Sequence, residues 1–380
     1  MVEKMIDKSL HLSGLNGLRA IAALSVVISH TDFLPGITDF GLGRILSFSI
    51  SMGAFAVTLF FVISGFLITY LLIHEVRKQQ DVSIKKFYVR RILRIWPLYY
   101  LFLIVSFGVY FLFGRAQEMS VNGMWFYVFF SANIPFIFKS GQIFILLHYW
   151  SIGVEEQFYL FWPWIVHFVR KKLLTTAVLI FMSLFLIKLV LWVVFGPDFY
   201  GYRILNVTRF DCMMVGAIGA ILYFNNNTFF LNLFSSKIMQ SFSWILFILV
   251  SSEVIHIPFP IAQEVISVAV LSIIIGQVTV KKRIVNLENK ICDFIGKISY
   301  GIYVIHPLIL LLLSKLYYPL NIQSGVKYVL VFSTSLTVVI AVAWLSYTYF
   351  EKPFLKLKSK YAVIQTSDSM ILSSKLTNLE

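Results

Sequence analysis

LNGLRAIAALSVVISHTDFL, residues 15–34, is an apolar stretch long enough to cross a bilayer, and it carries Arg19 and His30 within it. At ~100° and ~1.5 Å per residue, the eleven positions from one to the other make three helical turns plus about 20°. Both side chains therefore share one helix face, roughly 16 Å apart along the axis. An arginine inside a span costs at least ~2.5 kcal/mol, and such residues usually face a bundle interior or a polar cavity. The pair marks a site.

The rest of the chain has the same character. Of 380 residues 59% are hydrophobic and 13% charged, with 37 Phe, and mean hydropathy is +0.83. Apolar runs of about twenty residues recur from end to end, the length that crosses ~30 Å of hydrocarbon. The longest hydrophilic stretches, 74–94, 281–297 and the tail after Glu351, are too short for a soluble catalytic domain of ordinary size. The net charge of +14 would suggest nucleic acid in a soluble protein. Here Lys and Arg collect in short loops between spans, with no basic groove interleaved with aromatics, so no nucleic-acid partner is expected. Cys212 and Cys292 form neither a disulfide framework nor a metal pattern. Arg19 interrupts the first apolar region and no A-x-A cleavage site follows, so an uncleaved first span is expected.

Eleven apolar segments are candidates: 15–34, 46–73, 96–113, 124–138, 149–169, 173–195, 204–224, 241–256, 259–280, 298–318 and 325–350. Charge decides how many cross. Segment 74–94 holds Arg77, Lys78, Lys85, Lys86, Arg90, Arg91 and Arg94, which assigns it and the N-terminus to the cytosol. If 124–138 also crossed, Arg170, Lys171 and Lys172 would lie outside, as would Lys281, Lys282 and Arg283. Segment 124–138 is short and broken by Asn133 and Pro135, so it is expected to be re-entrant or interfacial. The expected fold is an all-α polytopic integral membrane protein of about ten transmembrane helices with both termini cytosolic. Its parts are a cytosolic N-terminus over 1–14, a membrane domain over 15–354, and a polar, weakly ordered cytosolic tail over 355–380. Residues 74–95 are expected to form a basic amphipathic helix at the interface, with Ile84, Phe87, Tyr88, Ile92 and Ile95 on its apolar side. No internal repeat stands out.

In this threading Arg19 lies toward the cytosolic end of the first span and His30 in its outer half. The span starting His148-Tyr149-Trp150-Ser151 brings Glu155 and Glu156 in from outside, and the one starting near 204 brings Arg209 and Asp211. His306, with Pro307 beside it, sits near mid-membrane. A neutral histidine next to a carboxylate is what general-base activation of a hydroxyl requires. The same residues have plainer readings: Arg209 and Asp211 can neutralise one another, and an intramembrane His can be a packing partner. Ser29 and Ser151 lack a nucleophile-elbow context, and no H-E-x-x-H or ligand-spaced histidine pair suggests a metal. Arg90, Arg91 and Arg94, within about one turn, suit phosphate groups or anionic lipid.

These residues fall into a recognisable order. Leu15-Asn16-Gly17-Leu18-Arg19 running to His30, Phe60-Phe61-Val62-Ile63-Ser64-Gly65-Phe66, Arg91-x-x-Arg94 before Ile95-Trp96-Pro97, Trp150-Ser151-x-x-x-Glu155-Glu156-Gln157-Phe158-Tyr159, Arg209-x-Asp211, Ile298-Ser299-Tyr300-Gly301-x-Tyr303-x-x-His306-Pro307 and Tyr349-Phe350-Glu351-Lys352-Pro353-Phe354 together resemble the membrane-bound acyltransferase-3 family. The resemblance covers about residues 13–355.

The resemblance implies a multi-pass enzyme of the bacterial inner membrane. It would take an acyl group, most often acetyl, from cytosolic acyl-CoA and place it on a hydroxyl of a surface or lipid-linked carbohydrate such as O-antigen. It also implies His30 as catalytic base, aided by Glu155, and Arg19, Arg91 and Arg94 toward the donor. Glu156, Arg209, Asp211, Tyr303 and His306 are further cavity candidates. Acetyl-CoA would be a substrate, with no tightly bound cofactor; an acyl-histidine relay is a kinetic variant. The chain ends soon after its last apolar segment, so direct acylation or a separate extracytoplasmic partner is expected. A small secondary metabolite or Nod-type oligosaccharide is the alternative acceptor. A non-enzymatic carrier of a sugar or lipid-linked intermediate is the alternative outside the enzyme class.

Overall fold

The structure, a computed structural model, describes residues 11–31, 43–112, 121–252, 254, 255, 257, 260–317 and 324–364. The expected N-terminal segment up to residue 10 and the tail beyond 364 lie outside the described residues. Among the described residues the regular structure is helical: α1 (Leu15–Thr31), α2 (Gly43–Gln79), α3 (Ile84–Leu112), α4 (Val121–Val128), α5 (Asn133–Phe138), α6 (Tyr149–Phe168), α7 (Leu173–Phe195), α8 (Tyr200–Thr208), α9 (Phe210–Phe224), α10 (Thr228–Phe234), α11 (Lys237–Ser251), α12 (Ala262–Val278), α13 (Lys290–Tyr317), α14 (Ser324–Leu345) and α15 (Lys352–Lys360). Six stretches are long and apolar enough to cross a membrane, and the α10–α11 pair, bent by 51°, adds a seventh if it is one broken span.

Helix α1 sits inside the bundle. None of its residues is exposed, and it packs on α2, α12, α13 and α14. Leu15, Leu18, Ala22 and Val26 enter the main apolar core, while Ala23 and Val27 meet Ile298, Ile302, Val339 and Ala343. Close approach of α2 and α9 depends on two glycines. A Cβ on Gly65 would fall 2.0 Å from the Met213 carbonyl oxygen, and one on Gly216 would fall 2.1 Å from that of Val62. The contact is reciprocal, small residue against backbone from both sides, as in small-xxx-small helix packing.

Segment 124–138 divides into two short helices, α4 and α5, with Phe130 at φ +54° between them. Eight residues of helix reach about 12 Å, too little to cross. The break is sealed by side chains. Tyr99 and Tyr100 donate to the carbonyls of Tyr127 and Val128 (2.5 and 3.0 Å), and Gln157 donates to that of Phe130 (3.1 Å). Irregular backbone is thus buried in protein.

Two expectations are corrected. Residues 74–95 do not form one interfacial helix: α2 continues to Gln79, the chain reverses at Gln80 (φ +62°), and α3 runs from Ile84 past Pro97. The reversal is held by Asp81 and Glu75, which accept from the backbone N–H groups of Val82 (2.6 Å) and Ser83 (2.8 Å). Phe87 and Ile95 enter the core instead of facing lipid. Nor is the chain loose from 355 to 364. Helix α15 packs on α3, and the carbonyls of Tyr361 and Val363 accept from Arg90 (3.1 Å) and Lys78 (3.4 Å). Leu355 gives this lysine-rich segment an apolar face to bury.

At the periphery, most of α7 faces outward, yet Lys188 within it is fully buried. Its ammonium pairs with Asp211 of α9 (2.5 Å) and with Glu264 of α12. Removing one partner from such a cluster strands the others without solvent, at a cost of about 3–5 kcal/mol. Lys188→Met should therefore lose about that much stability to chemical denaturation in detergent, and the added changes Asp211→Asn and Glu264→Gln should restore most of it. A triple variant as weak as the single one would contradict this account.

The lead into α1 is pinned by Glu288, which accepts from Ser13, from His11 (2.5 Å) and from Arg283 (3.1 Å). The Ser13 hydroxyl, and after it His11 and Arg283, hold this carboxyl down from its ordinary 4.5 to about 2. A depressed carboxylate stabilises the fold above its unfolded pKa, and that contribution is lost as pH falls through the folded one. The site is 38% exposed, so the effect is modest. The melting-temperature gap between the parent and Glu288→Gln should be constant above pH 4.5 and close between 4.5 and about 2. A gap that persists unchanged to pH 2 would remove Glu288 from this role.

Candidate active site

Two adjoining cavities run along α1. The larger, about 190 Å³, is lined by His11, Arg90, Lys297 and Lys358 together with Arg19, Arg91 and Arg94. The smaller, about 100 Å³, is lined by Ser64, Ser151, Glu155, Tyr159, Tyr300 and Tyr303, again with Arg19, Arg91 and Arg94. The three arginines form the neck between a cationic vestibule and a hydroxyl-rich chamber. Arg91 packs against the rings of Phe87 and Tyr159, 5.6 and 5.5 Å from their centroids. Its Nε is buried without a hydrogen-bond partner among the described residues.

Within the chamber, Glu155 accepts from Ser64 (2.7 Å) and Tyr159 (3.3 Å) and lies within electrostatic reach of Arg19 and Arg91. The Ser64-Gly65 dipeptide thus does two jobs on successive faces of α2: the serine meets the carboxylate and the glycine admits α9. Tyr303 shares a 2.5 Å hydrogen bond with Ser151 and donates to the His148 carbonyl (3.2 Å).

Beyond Tyr303 three histidines meet. Nδ1 of His30 and Nε2 of His306 lie 2.6 Å apart, and the His148 ring is 5.3 Å from that of His306. His306 Nδ1 donates to the Tyr303 carbonyl (2.8 Å), and His148 Nε2 donates to that of Val304 (3.1 Å). His30 itself lines neither cavity.

The expected convergence is therefore partial. Arg19, Arg91, Arg94, Glu155 and Tyr303 do share one continuous space, and His30 and His306 touch. At His30 Nδ1 the partner is His306, where the sequence suggested a carboxylate. Glu156, one residue round the helix from Glu155, turns away and accepts from Trp96 (3.2 Å). Arg209 and Asp211 do not neutralise each other. Arg209, in the left-handed region at φ +46°, donates to Ala54 and Thr58 (3.2 and 3.0 Å) and lies over Trp150, while Asp211 is taken by Lys188. The sequence reasoning missed Lys188, although one lysine inside the apolar run 173–195 carries the signal that singled out Arg19. It also passed over His11, Lys297 and Lys358 in the vestibule, where isolated cations at opposite ends of the chain give no local pattern.

Comparison with known proteins identifies the family. A family model described as an acyltransferase domain, Acyl_transf_3, matches residues 12–348. A Staphylococcus aureus (strain COL) protein named "Putative O-acetyltransferase" is 28% identical over 92% of this chain and 58% of its own length. The peptidoglycan O-acetyltransferase OatA of Listeria monocytogenes is 28% identical over 78% of this chain and 49% of its own, and the O-acetyltransferase OatA of S. aureus (strain NCTC 8325) is 30% identical over 50% and 30%. The chain thus spans between 30% and 58% of the length of these curated relatives. No solved structure matches it. With the match covering nearly all of the helical bundle, the chain, a multi-pass membrane protein, belongs to the acyltransferase-3 family.

Proposed function

We propose that this chain is a membrane O-acyltransferase that moves an acetyl group from cytosolic acetyl-CoA to a hydroxyl of a cell-envelope carbohydrate. The observation that carries the reading is the arginine neck, common to a cationic vestibule and a chamber that abuts the histidines. Phosphates of the donor suit the vestibule, because guanidiniums hold them by paired hydrogen bonds. The flexible pantetheine arm would pass the neck and bring the thioester toward His30. Arg19, which borders both spaces, would line this passage and hold a donor oxygen on its way through.

In the transfer itself, the acceptor hydroxyl oxygen bonds to the thioester carbonyl carbon while His30 takes its proton. The C–S bond then breaks. The departing thiolate receives that proton from His30, which leaves an ester on the acceptor and the free thiol of CoA. Glu155, held by Ser64 and Tyr159, supplies negative charge to the chamber without reaching Nδ1 of His30 in place of His306. A sugar hydroxyl is the acceptor class, and the name of the Listeria relative supports a cell-wall glycan; lipid-linked O-antigen presents the same chemistry.

In the membrane, α1, α6 and α12 would cross in addition to the six long stretches and the bent pair, giving ten crossings in the bacterial inner membrane. That count leaves Arg77–Arg94, Arg170–Lys172 and Lys281–Arg283 on one side, as the positive-inside rule requires of a cytosolic face with both termini.

Proteoliposomes given labelled acetyl-CoA and an envelope glycan should yield glycan heavier by one acyl group, with His30→Ala slowing the reaction by about 10²–10⁴-fold. Acylation at the parental rate by His30→Ala would end the catalytic assignment, and binding of glycan without turnover of acetyl-CoA would favour a carrier.

A further inference from the structure

The hydrogen bonds around His306 determine where the protons of His30 sit. A carbonyl oxygen only accepts, so His306 Nδ1, 2.8 Å from the Tyr303 carbonyl, carries a hydrogen. That carbonyl is available for a reason visible in the sequence. In an unbroken helix the N–H of residue 307 would occupy it, and residue 307 is proline. With Nδ1 protonated, neutral His306 has its lone pair at Nε2, and the 2.6 Å contact to His30 Nδ1 then makes His30 the donor. We infer that the His306-Pro307 pair is a positioning device: it fixes His30 as the Nδ1–H tautomer and directs the basic lone pair to Nε2.

The inference rests on His30 being the base. As His30 takes a proton, its Nδ1–H bond to His306 becomes charge-assisted and stronger. His306 thus does what a carboxylate does beside many catalytic histidines, but without placing a second charge in a bundle where an unpaired charge is costly. His148 donates its Nε2–H to the Val304 carbonyl in the same way, and its ring lies 5.3 Å from that of His306.

Three variants test this by separating kcat from KM. In His306→Gln an amide oxygen can still accept from His30, and kcat should stay within about tenfold of the parent, whereas His306→Leu should fall by roughly 10²-fold with KM for acetyl-CoA unchanged. Pro307→Ala restores a backbone N–H that competes for the Tyr303 carbonyl. It should lower kcat about tenfold while the melting temperature holds or rises, since proline within a helix costs stability. Equal losses in the Gln and Leu variants, or parental kcat in Pro307→Ala, would overturn the inference. Full activity in His30→Ala would instead overturn the reading beneath it.

A second, independent observation concerns the chain beyond residue 348, where the family match stops. Leu355, Lys358, Ser359 and Ala362 follow one another at helical spacing, and all four line the vestibule. This segment is tied down by Arg90 and Lys78 through its carbonyls, so it forms a wall. Arg91 lines the same cavity, its Nε buried without a hydrogen-bond partner among the described residues. The structure assigns to Lys358 the recognition of the 3′-phosphate of the donor nucleotide, again on the proposed reading that the donor is acyl-CoA.

Lys358→Ala and the parent should be compared with acetyl-CoA and with acetyl-dephospho-CoA, which lacks the 3′-phosphate. The substitution should raise KM about tenfold for the first donor and leave it unchanged for the second, the pattern of a lost charge-assisted contact. An equal rise for both donors, or none for either, would overturn the assignment. A KM shift seen only in vesicles containing anionic lipid, and absent in neutral ones, would overturn it in favour of a lipid headgroup. Absence of any turnover of acetyl-CoA by the parent would count against the donor itself.

Discussion

A guanidinium and an imidazole on a helix with no exposed residue must be solvated by the protein, and the architecture around α1 follows from that constraint. Arg19 is met by two cavities and by Glu155 within electrostatic reach; His30 is met by another imidazole. Neither solution involves bulk lipid. To supply them, α2, α12, α13 and α14 enclose α1, and close approach elsewhere, as between Gly65 and Gly216, lets the helices around it stay tight. Charge placed at the centre of a bundle obliges its neighbours to carry polar groups inward, which is why Ser64, Glu155, Ser151 and Tyr303 project into one chamber.

The same rule holds away from the chamber, with a different outcome. Lys188 is as costly a side chain as Arg19, but Asp211 and Glu264 close on it directly. One buried cation makes a neck, the other a staple. The difference lies in what surrounds each: Arg19 shares its space with two more arginines and the single carboxylate of Glu155, whereas Lys188 faces two carboxylates.

What could be read from the sequence was whatever one helix decides alone. The apolar runs and the interruption of 124–138 depend on local composition, and the structure keeps both, although the interruption falls at Phe129–Ala132 and the expected breakers Asn133 and Pro135 sit inside α5. Partnerships between helices were not legible. Arg209 and Asp211 stand two apart, which suggests mutual neutralisation, yet neighbours two apart on a helix point in different directions and each found a partner on another element. Residues 74–95 show an apolar face that would suit an interface equally well; only the reversal at Gln80, held by Glu75 and Asp81, turns Phe87 into the core. Helix α15 went unnoticed because a lysine-rich segment with one buried leucine resembles a solvated tail until α3 is placed beside it.

His306 and Pro307 show how far a local pattern can reach once the fold supplies its partner. Proline in a helix leaves the carbonyl four residues earlier without its usual donor, a defect that in hydrocarbon must be repaired. Here the repair is made by the histidine beside it, at 2.8 Å, and the repair fixes the histidine's protons. A backbone defect is thereby converted into a defined hydrogen-bond acceptor facing His30. An apolar or freely rotating residue at 306 would fill the same volume and even pack well, but it would leave the Tyr303 carbonyl unmet and the imidazole of His30 without a fixed tautomer. Packing alone therefore does not explain a histidine followed by a proline at this depth; the proton arrangement does.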